Sequence, residues 1–375
     1  MNTIICGTDF SAHAAEAANV AAALAARHDT TLVLLHAVAP REVELLDTAS
    51  VDALRRERRQ TLSKEGDRVR GLGARVTEEL VLGAPQEMLS LSAQRNDADL
   101  VIVSSLGEIS ARRWLAGSIA ARTAQGAPVP TLVVRDYARL IEWARGERPL
   151  DVFACYDFVV GSDSVLRWIA ALRDWGPCNV AVTYVSWPPQ ETWRLGVSAR
   201  TRKDGDNPAE VQALLERNLL AKCAQWIGDA EVKTQVVSSW GRPDVQLNEL
   251  ATESGADLVV VGSNRRPLMN RVWMGSVSRG VIRHSRTNVV CVPRGYEARG
   301  AGKNTVPSRV LVPIDFTEAS EEALTIAVAS APDGAELCLF HVVTEPPDSS
   351  DARSAAREAS VRLHALANER ASRPE

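Results

Sequence analysis

A chain of 375 residues exceeds the size at which one hydrophobic core keeps growing, so two or three domains are expected. With 45% apolar and 24% charged residues the composition is globular, which excludes a disordered or collagen-like chain. The formal charge of -4, from 43 Lys and Arg against 47 Asp and Glu, offers no broad attraction for nucleic acid or an anionic membrane, and neither is expected as a partner.

The chain opens on Thr3-Ile4-Ile5-Cys6 without a basic segment leading into a long apolar stretch, and no apolar run of about 18 residues follows. A cytoplasmic location is therefore expected. Cys6, Cys155, Cys178, Cys223, Cys291 and Cys338 form no C-x-x-C pair, so reduced, mostly buried thiols are the default.

Three segments begin alike: Ile4 to Phe10, Val152 to Phe158 and Val310 to Phe316 each read as an apolar strand ending in Asp-Phe. Their aspartates, Asp9, Asp157 and Asp315, are spaced by 148 and 158 residues. Gly83-Ala84-Pro85 recurs as Gly241-Arg242-Pro243, and Gly117-Ser118 as Gly275-Ser276, both 158 residues on. The second unit thus carries an insertion before Gly241, and the Pro- and Trp-bearing stretch Ser186 to Pro208 is expected to hold it as a surface loop.

In the first unit, strands are predicted at Leu32–Val38, Thr77–Leu82, Leu100–Ser104 and Thr131–Val134, alternating with helices such as the Ala-rich Ala12 to Ala26. The second unit matches with Val180–Val185, Val232–Ser238, Leu258–Gly262 and Val289–Val292. The third stops after a helix from about Ser320 to Ala329, a strand at Leu337–Val343 and a polar helix. Near-continuous apolar strands alternating with helices imply an α/β fold: tandem doubly wound, Rossmann-like parallel sheets plus a C-terminal half-module. The expected modules are 1–137, 148–296 and 307–375, with linkers at Arg145–Pro149 and Arg294–Pro307.

The second unit's Gly262-Ser263-Asn264-Arg265 is followed, after nine residues, by Gly275-Ser276-Val277. Glycines let backbone N–H groups approach an anion, and Ser276 opens a helix whose N-terminal dipole favours phosphate. The first unit has Ser104-Ser105-Leu106-Gly107, nine residues, then Gly117-Ser118.

With these residues in view, the chain resembles the universal stress protein family, whose ATP-binding members carry G-x-x-G, nine residues, then Gly followed by Ser or Thr. The strand-end Asp, the Gly-x-Pro and the endings His36-Ala37-Val38 and His341-Val342-Val343 extend the resemblance over nearly the whole chain. It implies an adenine-nucleotide-binding stress-response regulator with ATP as ligand, magnesium accompanying it, and self-association, and it makes the closing strands Leu132–Val134 and Val289–Val292 the expected seam of a pseudo-two-fold pair. By resemblance Asp9 and Asp157 would meet ribose or adenine and Val38 and Val185 would offer backbone to the base. Gly107, Gly117, Ser118, Gly262, Ser263, Arg265, Gly275, Ser276 and Val277 would hold phosphates.

Both units depart from the pattern, with Ser104 for the first Gly in one and Arg265 for the second in the other. Glu108 would repel a polyphosphate, whereas Arg265 and Arg266 would attract one, so the second site is favoured. A structural reading stands beside this one: Asp at a strand end holds an Asx turn or caps a helix, and Gly-Ser pairs start helices. That reading makes the chain a ligand-free scaffold or dimerisation protein. His36 and His341 lack partners at ligand spacing and read as structural, and the helical members among Trp168, Trp175, Trp187, Trp193 and Trp226 read as packing. No nucleophile elbow, HExxH, P-loop or strand-following G-x-G-x-x-G is present, so catalysis is not expected; a slow ATPase is the weaker alternative.

Overall fold

The computed structural model describes residues 2–105, 118–159, 161–196, 205–228, 232–263, 276–297, 309–330, 336–343 and 350–371. They fall into two compact units, Met1–Ala301 and Gly302–Glu375.

The first unit contains strands β1 (Thr3–Gly7), β2 (Thr31–Val38), β3 (Arg75–Leu82), β4 (Leu100–Ser104) and β5 (Thr131–Val134). The second half of that unit repeats them as β6 (Leu150–Tyr156), β7 (Cys178–Ser186), β8 (Val232–Ser238), β9 (Leu258–Ser263) and β10 (Asn288–Pro293). All ten belong to one sheet in the order β3-β2-β1-β4-β5-β10-β9-β6-β7-β8. Pairing is parallel within each module and antiparallel only where β5 meets β10, with Val133 opposite Val289 and Leu132 opposite Val290. The expected seam is therefore present, and it joins two doubly wound modules edge to edge.

The strand residues alternate between two cores, one on each face, as period-2 geometry requires. Ile4, Cys6, Val152 and Ala154 enter one core, beneath the helices Ala12–Arg27 and Asp163–Trp175. Ile5, Val33, Leu35, Phe153 and Val259 enter the other, beneath Pro85–Arg95 and Pro243–Glu253. Both cores run through both modules. The helix Ala12–Arg27 starts at Ser11, whose hydroxyl accepts the Ala14 N–H, and buries Ala14, Ala17, Ala18, Ala21, Ala22 and Ala25, small residues that permit close approach to the sheet.

Sequence patterning did not show the helix Tyr137–Ala144, which follows β5 and buries Leu140, Trp143 and Ala144. Asp136 caps it by accepting the Ala138 N–H, and Arg27 donates to the carbonyls of Trp143 and Ala144 at its far end, both at 3.1 Å. Beside the seam the carboxylate of Asp257, fully buried, accepts the Asp151 N–H at 3.0 Å and a hydrogen bond from Arg139 at 2.7 Å, and forms an ion pair with Arg148 at 2.8 Å. Asn288 completes the joint: its carbonyl oxygen accepts the N–H groups of Arg135 and Asp136, and its amide donates to the carbonyls of Asp136 and Asp257.

Two sequence expectations are corrected. The Asp-Phe pairs do not end the strands; β1 and β6 stop two residues and one residue before them, and Phe10 and Phe158 take left-handed φ values of 64° and 53°, from which a strand cannot continue. The stretch Ser186 to Pro208 is not merely a surface loop: it opens on the helix Pro188–Arg194, where the first module has Pro40–Val43, and Glu191 and Thr192 of that helix are buried.

The C-terminal unit holds β11 (Arg309–Pro313) and β12 (Glu336–Phe340), paired in parallel, with helices Glu318–Ser330 and Ser350–Ala371. Val312, Ile314 and Leu324 form its core, joined by Leu337, Leu339, Leu363 and Leu366. On the other side of this small sheet Leu311 is 62% and Phe340 49% exposed.

Candidate functional site

The neighbours of β6 are β7 on one side and β9 on the other, so the chain leaves this central strand in opposite directions from its two flanks. Such a switch point opens a crevice at the carboxyl ends of the strands. A cavity of about 300 Å³ lies there in the second module, and its lining comes from the ends of β6 (Cys155, Tyr156), β7 (Tyr184 to Ser186) and β9 (Val261 to Ser263). Asp157, Trp187, Gln190, Ser239 and Arg294 add polar and aromatic groups, and Val277 and Ser278 come from the first turn of the helix Ser276–His284.

Asp157 is held by its own turn. Its Oδ1 accepts the Val159 N–H at 3.1 Å and the Ser162 hydroxyl. Asp9 does the same with Ser11, accepting N–H at 3.1 Å and hydroxyl at 2.6 Å, and Asp315 with Thr317, at 3.0 and 2.5 Å. The following residue, Phe10, Phe158 or Phe316, is left-handed in all three modules. An Asx turn with a strained aromatic at its second position is thus the physical content of the repeated Asp-Phe.

That aromatic packs on β2 or its counterpart. In the first module Phe10 lies 4.2 Å from the His36 ring, whose Nδ1 donates to the Thr8 carbonyl at 2.8 Å. In the half-module Phe316 lies 4.7 Å from His341, whose Nδ1 donates to the Ile314 carbonyl at 2.7 Å. Both histidines brace the turn, as the sequence reading anticipated. In the second module tyrosines replace this arrangement, and Phe158 stands edge-to-face with Tyr156 and Tyr184 at 5.0 and 4.9 Å.

Burial, reinforced by hydrogen bonds to Asp163 and Glu191, pushes the Tyr156 and Tyr184 phenols well above the usual range, so both stay protonated donors. Burial also pushes the Cys155 thiol up to about 12, which keeps it a neutral thiol rather than a nucleophile.

Among the expected site residues, Asp157, Val185, Gly262, Ser263 and Val277 line this cavity together. Ser276 opens its helix, as Ser118 opens the helix Ser118–Gly126 in the first module. Arg265, Gly275, Gly107 and Gly117 lie outside the described residues. Asp9 and Val38 occupy the matching turn and strand end of the first module. The register refines one equivalence: the Val38 carbonyl accepts the Gly83 N–H, and the matching acceptor for Ser239 N–H is Ser186, not Val185.

Sequence reasoning missed Arg294, which it assigned to a linker. Its N–H bonds the Ser263 carbonyl at 3.2 Å, and its side chain crosses Gly161, a residue with φ 96° where any Cβ would collide with it. The signal was the repeat spacing, since Arg294 stands 158 residues after Asp136 and reverses its charge. The packing role expected of the helical tryptophans holds for Trp168 and Trp175, which are buried and edge-to-face at 6.0 Å. Trp193, in the stretch expected to be a surface loop, is exposed, because the helix Pro188–Arg194 turns Pro188, Glu191 and Thr192 inward. Among the described residues no group of three His, Cys, Asp or Glu side chains is placed to hold a metal ion, and no helix is long and apolar enough to cross a membrane.

Comparison with known proteins agrees with this architecture. The sequence model of the universal stress protein family matches residues 1–135, 151–293 and 307–373, three successive copies with the last truncated. A universal stress protein encoded in the 3′ region of the QAH/OAS sulfhydrylase of Thermus aquaticus is 32% identical over 135 residues, which is 36% of this chain and 98% of that protein. The crystal structure of a universal stress protein from Archaeoglobus fulgidus superposes with a TM-score of 0.56 at 17% identity, over 78% of this chain and 97% of that one. A functionally unknown protein from Pseudomonas aeruginosa matches at a TM-score of 0.50 and 14% identity, over 78% and 93%. At such identities the two structures speak for the fold alone, whereas the threefold sequence match spans most of the chain. The chain belongs to the universal stress protein family.

Proposed function

We propose that the second module binds ATP or a related adenine nucleotide, and that the chain serves as a nucleotide-responsive regulatory protein of the cytoplasm. The observation that carries this reading is the switch-point cavity, which joins an aromatic and backbone wall at β7 to hydroxyls and one guanidinium at the opposite strand ends. Tyr184, Val185, Ser186 and Trp187 suit a base, Asp157 a ribose, and Ser263, Ser278 and Arg294 the phosphates. The helix Ser276–His284 adds its N-terminal dipole. Asp157 is the one carboxylate among the described lining residues. Magnesium would therefore take its ligands chiefly from phosphate oxygens and water, as is usual for this ion. Buried free thiols at Cys6, Cys155, Cys223 and Cys291 suit a reducing compartment.

Gly262 supplies the test. Its backbone is not left-handed, and an added Cβ would meet only Val165 at an ordinary 3.5 Å, so Gly262→Val suits the strand while narrowing the cavity. Calorimetry on the full chain with ATP and magnesium is expected to show binding to the wild type and at least a tenfold loss (an order-of-magnitude figure) in Gly262→Val, with unchanged thermal unfolding. Equal affinity in the two proteins, or no binding to either, would overturn the assignment.

A scaffold without ligand is the second reading, favoured by one observation. Asp315 repeats the Asp157 turn in a half-module that has no phosphate loop, so the turn needs no nucleotide to explain it. On that reading wild-type protein binds no ATP and releases no nucleotide on denaturation. The β5–β10 seam is already used within the chain, so self-association must use another surface.

A further inference from the structure

Resting on the nucleotide reading above and deepening it, we infer that Trp187 and Gln190 select the flat heteroaromatic part of the ligand, and that this recognition is peculiar to the second module. Trp187 follows the last residue of β7 and precedes the helix Pro188–Arg194, and its indole lines the cavity while remaining 51% exposed. A large apolar ring that exposed at a cavity rim is not serving the core.

The mount beneath the ring is firm. The Trp187 carbonyl accepts the N–H groups of Gln190 and Glu191 at 3.0 and 3.2 Å. Thr192 donates its hydroxyl to the Pro188 carbonyl at 3.1 Å. Glu191 turns inward, where its carboxylate accepts the Tyr184 phenol at 2.5 Å and the Arg194 guanidinium at 2.5 and 3.0 Å. A buried carboxylate with two such partners resists displacement, so the backbone that carries the indole is fixed before any ligand arrives.

The first module shows that the fold does not require this ring. Ala39 stands where Trp187 does, with Pro40 after it as Pro188 follows Trp187, and a short helix Pro40–Val43 begins at the same point. Glu42, the counterpart of Gln190, turns its carboxylate back to accept the Ala39 N–H at 2.8 Å. In the second module the matching side chain is an amide that lines the cavity. The two exchanges turn a closed helix cap into a wall with a π face and a group that both donates and accepts hydrogen bonds. That pairing matches a planar heterocycle with polar edges, not a sugar or a bare phosphate chain.

The full-length wild type, Trp187→Ala, Trp187→Leu and Trp187→Phe are titrated with ATP, adenosine and inorganic tripolyphosphate by calorimetry, with tryptophan fluorescence alongside. Loss of stacking should weaken ATP and adenosine about tenfold in Trp187→Ala and nearly as much in Trp187→Leu, with Trp187→Phe within about threefold of wild type. Tripolyphosphate affinity should be the same in all four. Trp187→Leu keeps apolar bulk and serves where Trp187→Ala proves unstable. Adenosine affinity that ignores Trp187, or tripolyphosphate weakened as much as ATP, overturns this inference and leaves the ATP assignment standing. Adenosine binding that needs Trp187 in a chain that rejects ATP supports the inference and overturns the ATP assignment. Wild-type protein that binds neither ATP nor adenosine overturns both.

Discussion

Where the first module buries His36 against Phe10, the second places Tyr184 against Phe158, and where the first has Ala39 at the end of its second strand, the second has Trp187. The backbone around these positions is the same: an Asx turn at Asp9 or Asp157, a left-handed Phe, and a Pro-initiated helix after the strand. The two modules therefore share a frame whose geometry is set by turns and sheet pairing, while the side chains facing the strand ends vary without disturbing it. Fold and site are separable here, which is why a family assignment establishes the frame and each cavity has to be read from its own residues.

The frame depends most on the joint between the modules, so the largest effect is expected there. Asp257→Ala removes a fully buried carboxylate that bonds Arg139, Arg148 and the Asp151 N–H, and leaves that N–H and part of Arg148 without their acceptor. A loss of about 3 kcal/mol, or roughly 6 °C in melting temperature, is expected by calorimetric or fluorescence-detected unfolding. A change within error would mean that the modules do not depend on this joint.

The half-module sharpens the comparison by omission. Leu311 holds the place in β11 that Ile5 holds in β1, yet Ile5 lies fully buried in the core beneath the helix Pro85–Arg95, and Leu311 is 62% exposed. Ile5→Thr should cost about 2 kcal/mol, by lost burial and a hydroxyl placed in an apolar core. Leu311→Thr should change stability by less than about 0.5 kcal/mol. Chemical denaturation of the two variants decides the matter, and a large cost at Leu311 would show that its face is covered in solution.

The smallest effect concerns pH. Burial lowers the pKa of His36 in the folded protein, and lowers that of His28 in the same direction. A histidine whose folded pKa is depressed is protonated first in the unfolded chain, so its contribution to stability is intact above the unfolded value of about 6.5 and declines as pH falls below it. His36→Phe retains an aromatic partner for Phe10 and removes the titration. Between pH 7.5 and 5.5 the wild type should therefore lose more stability than His36→Phe in urea titrations, and parallel curves would contradict the assignment.

Much of the frame was legible in the residues. Apolar runs recovered the strands because parallel strands covered on both faces are apolar on both sides, and the spacing of Gly83 and Gly241 located the insertion. The helix Tyr137–Ala144 was missed although Asp136 before Leu140, Ile141, Trp143 and Ala144 carries a cap and helical spacing; the segment is short and followed a strand expected to close the module. The site was less legible. Asp157, Val185, Gly262, Ser263 and Val277, named through the repeat and the family resemblance, line the cavity, but Arg294 and Ser239 enter it through the bend of the chain beyond a strand, which periodicity does not report.

By itself the sequence determined that three related segments exist, that two are complete, and that each opens on a strand and an Asp-held turn, because those features depend on local patterning and short-range hydrogen bonds. Tertiary structure decided the antiparallel register of β5 on β10, with Val133 opposite Val289, and that Asp257, 118 residues from Arg139, locks the modules together. It also decided that the second module carries an aromatic-walled cavity. Tyr156, Trp187, Ser263 and Arg294 lie far apart in the chain and share a site only because parallel crossovers bring the carboxyl ends of β6, β7, β9 and β10 to one end of the sheet.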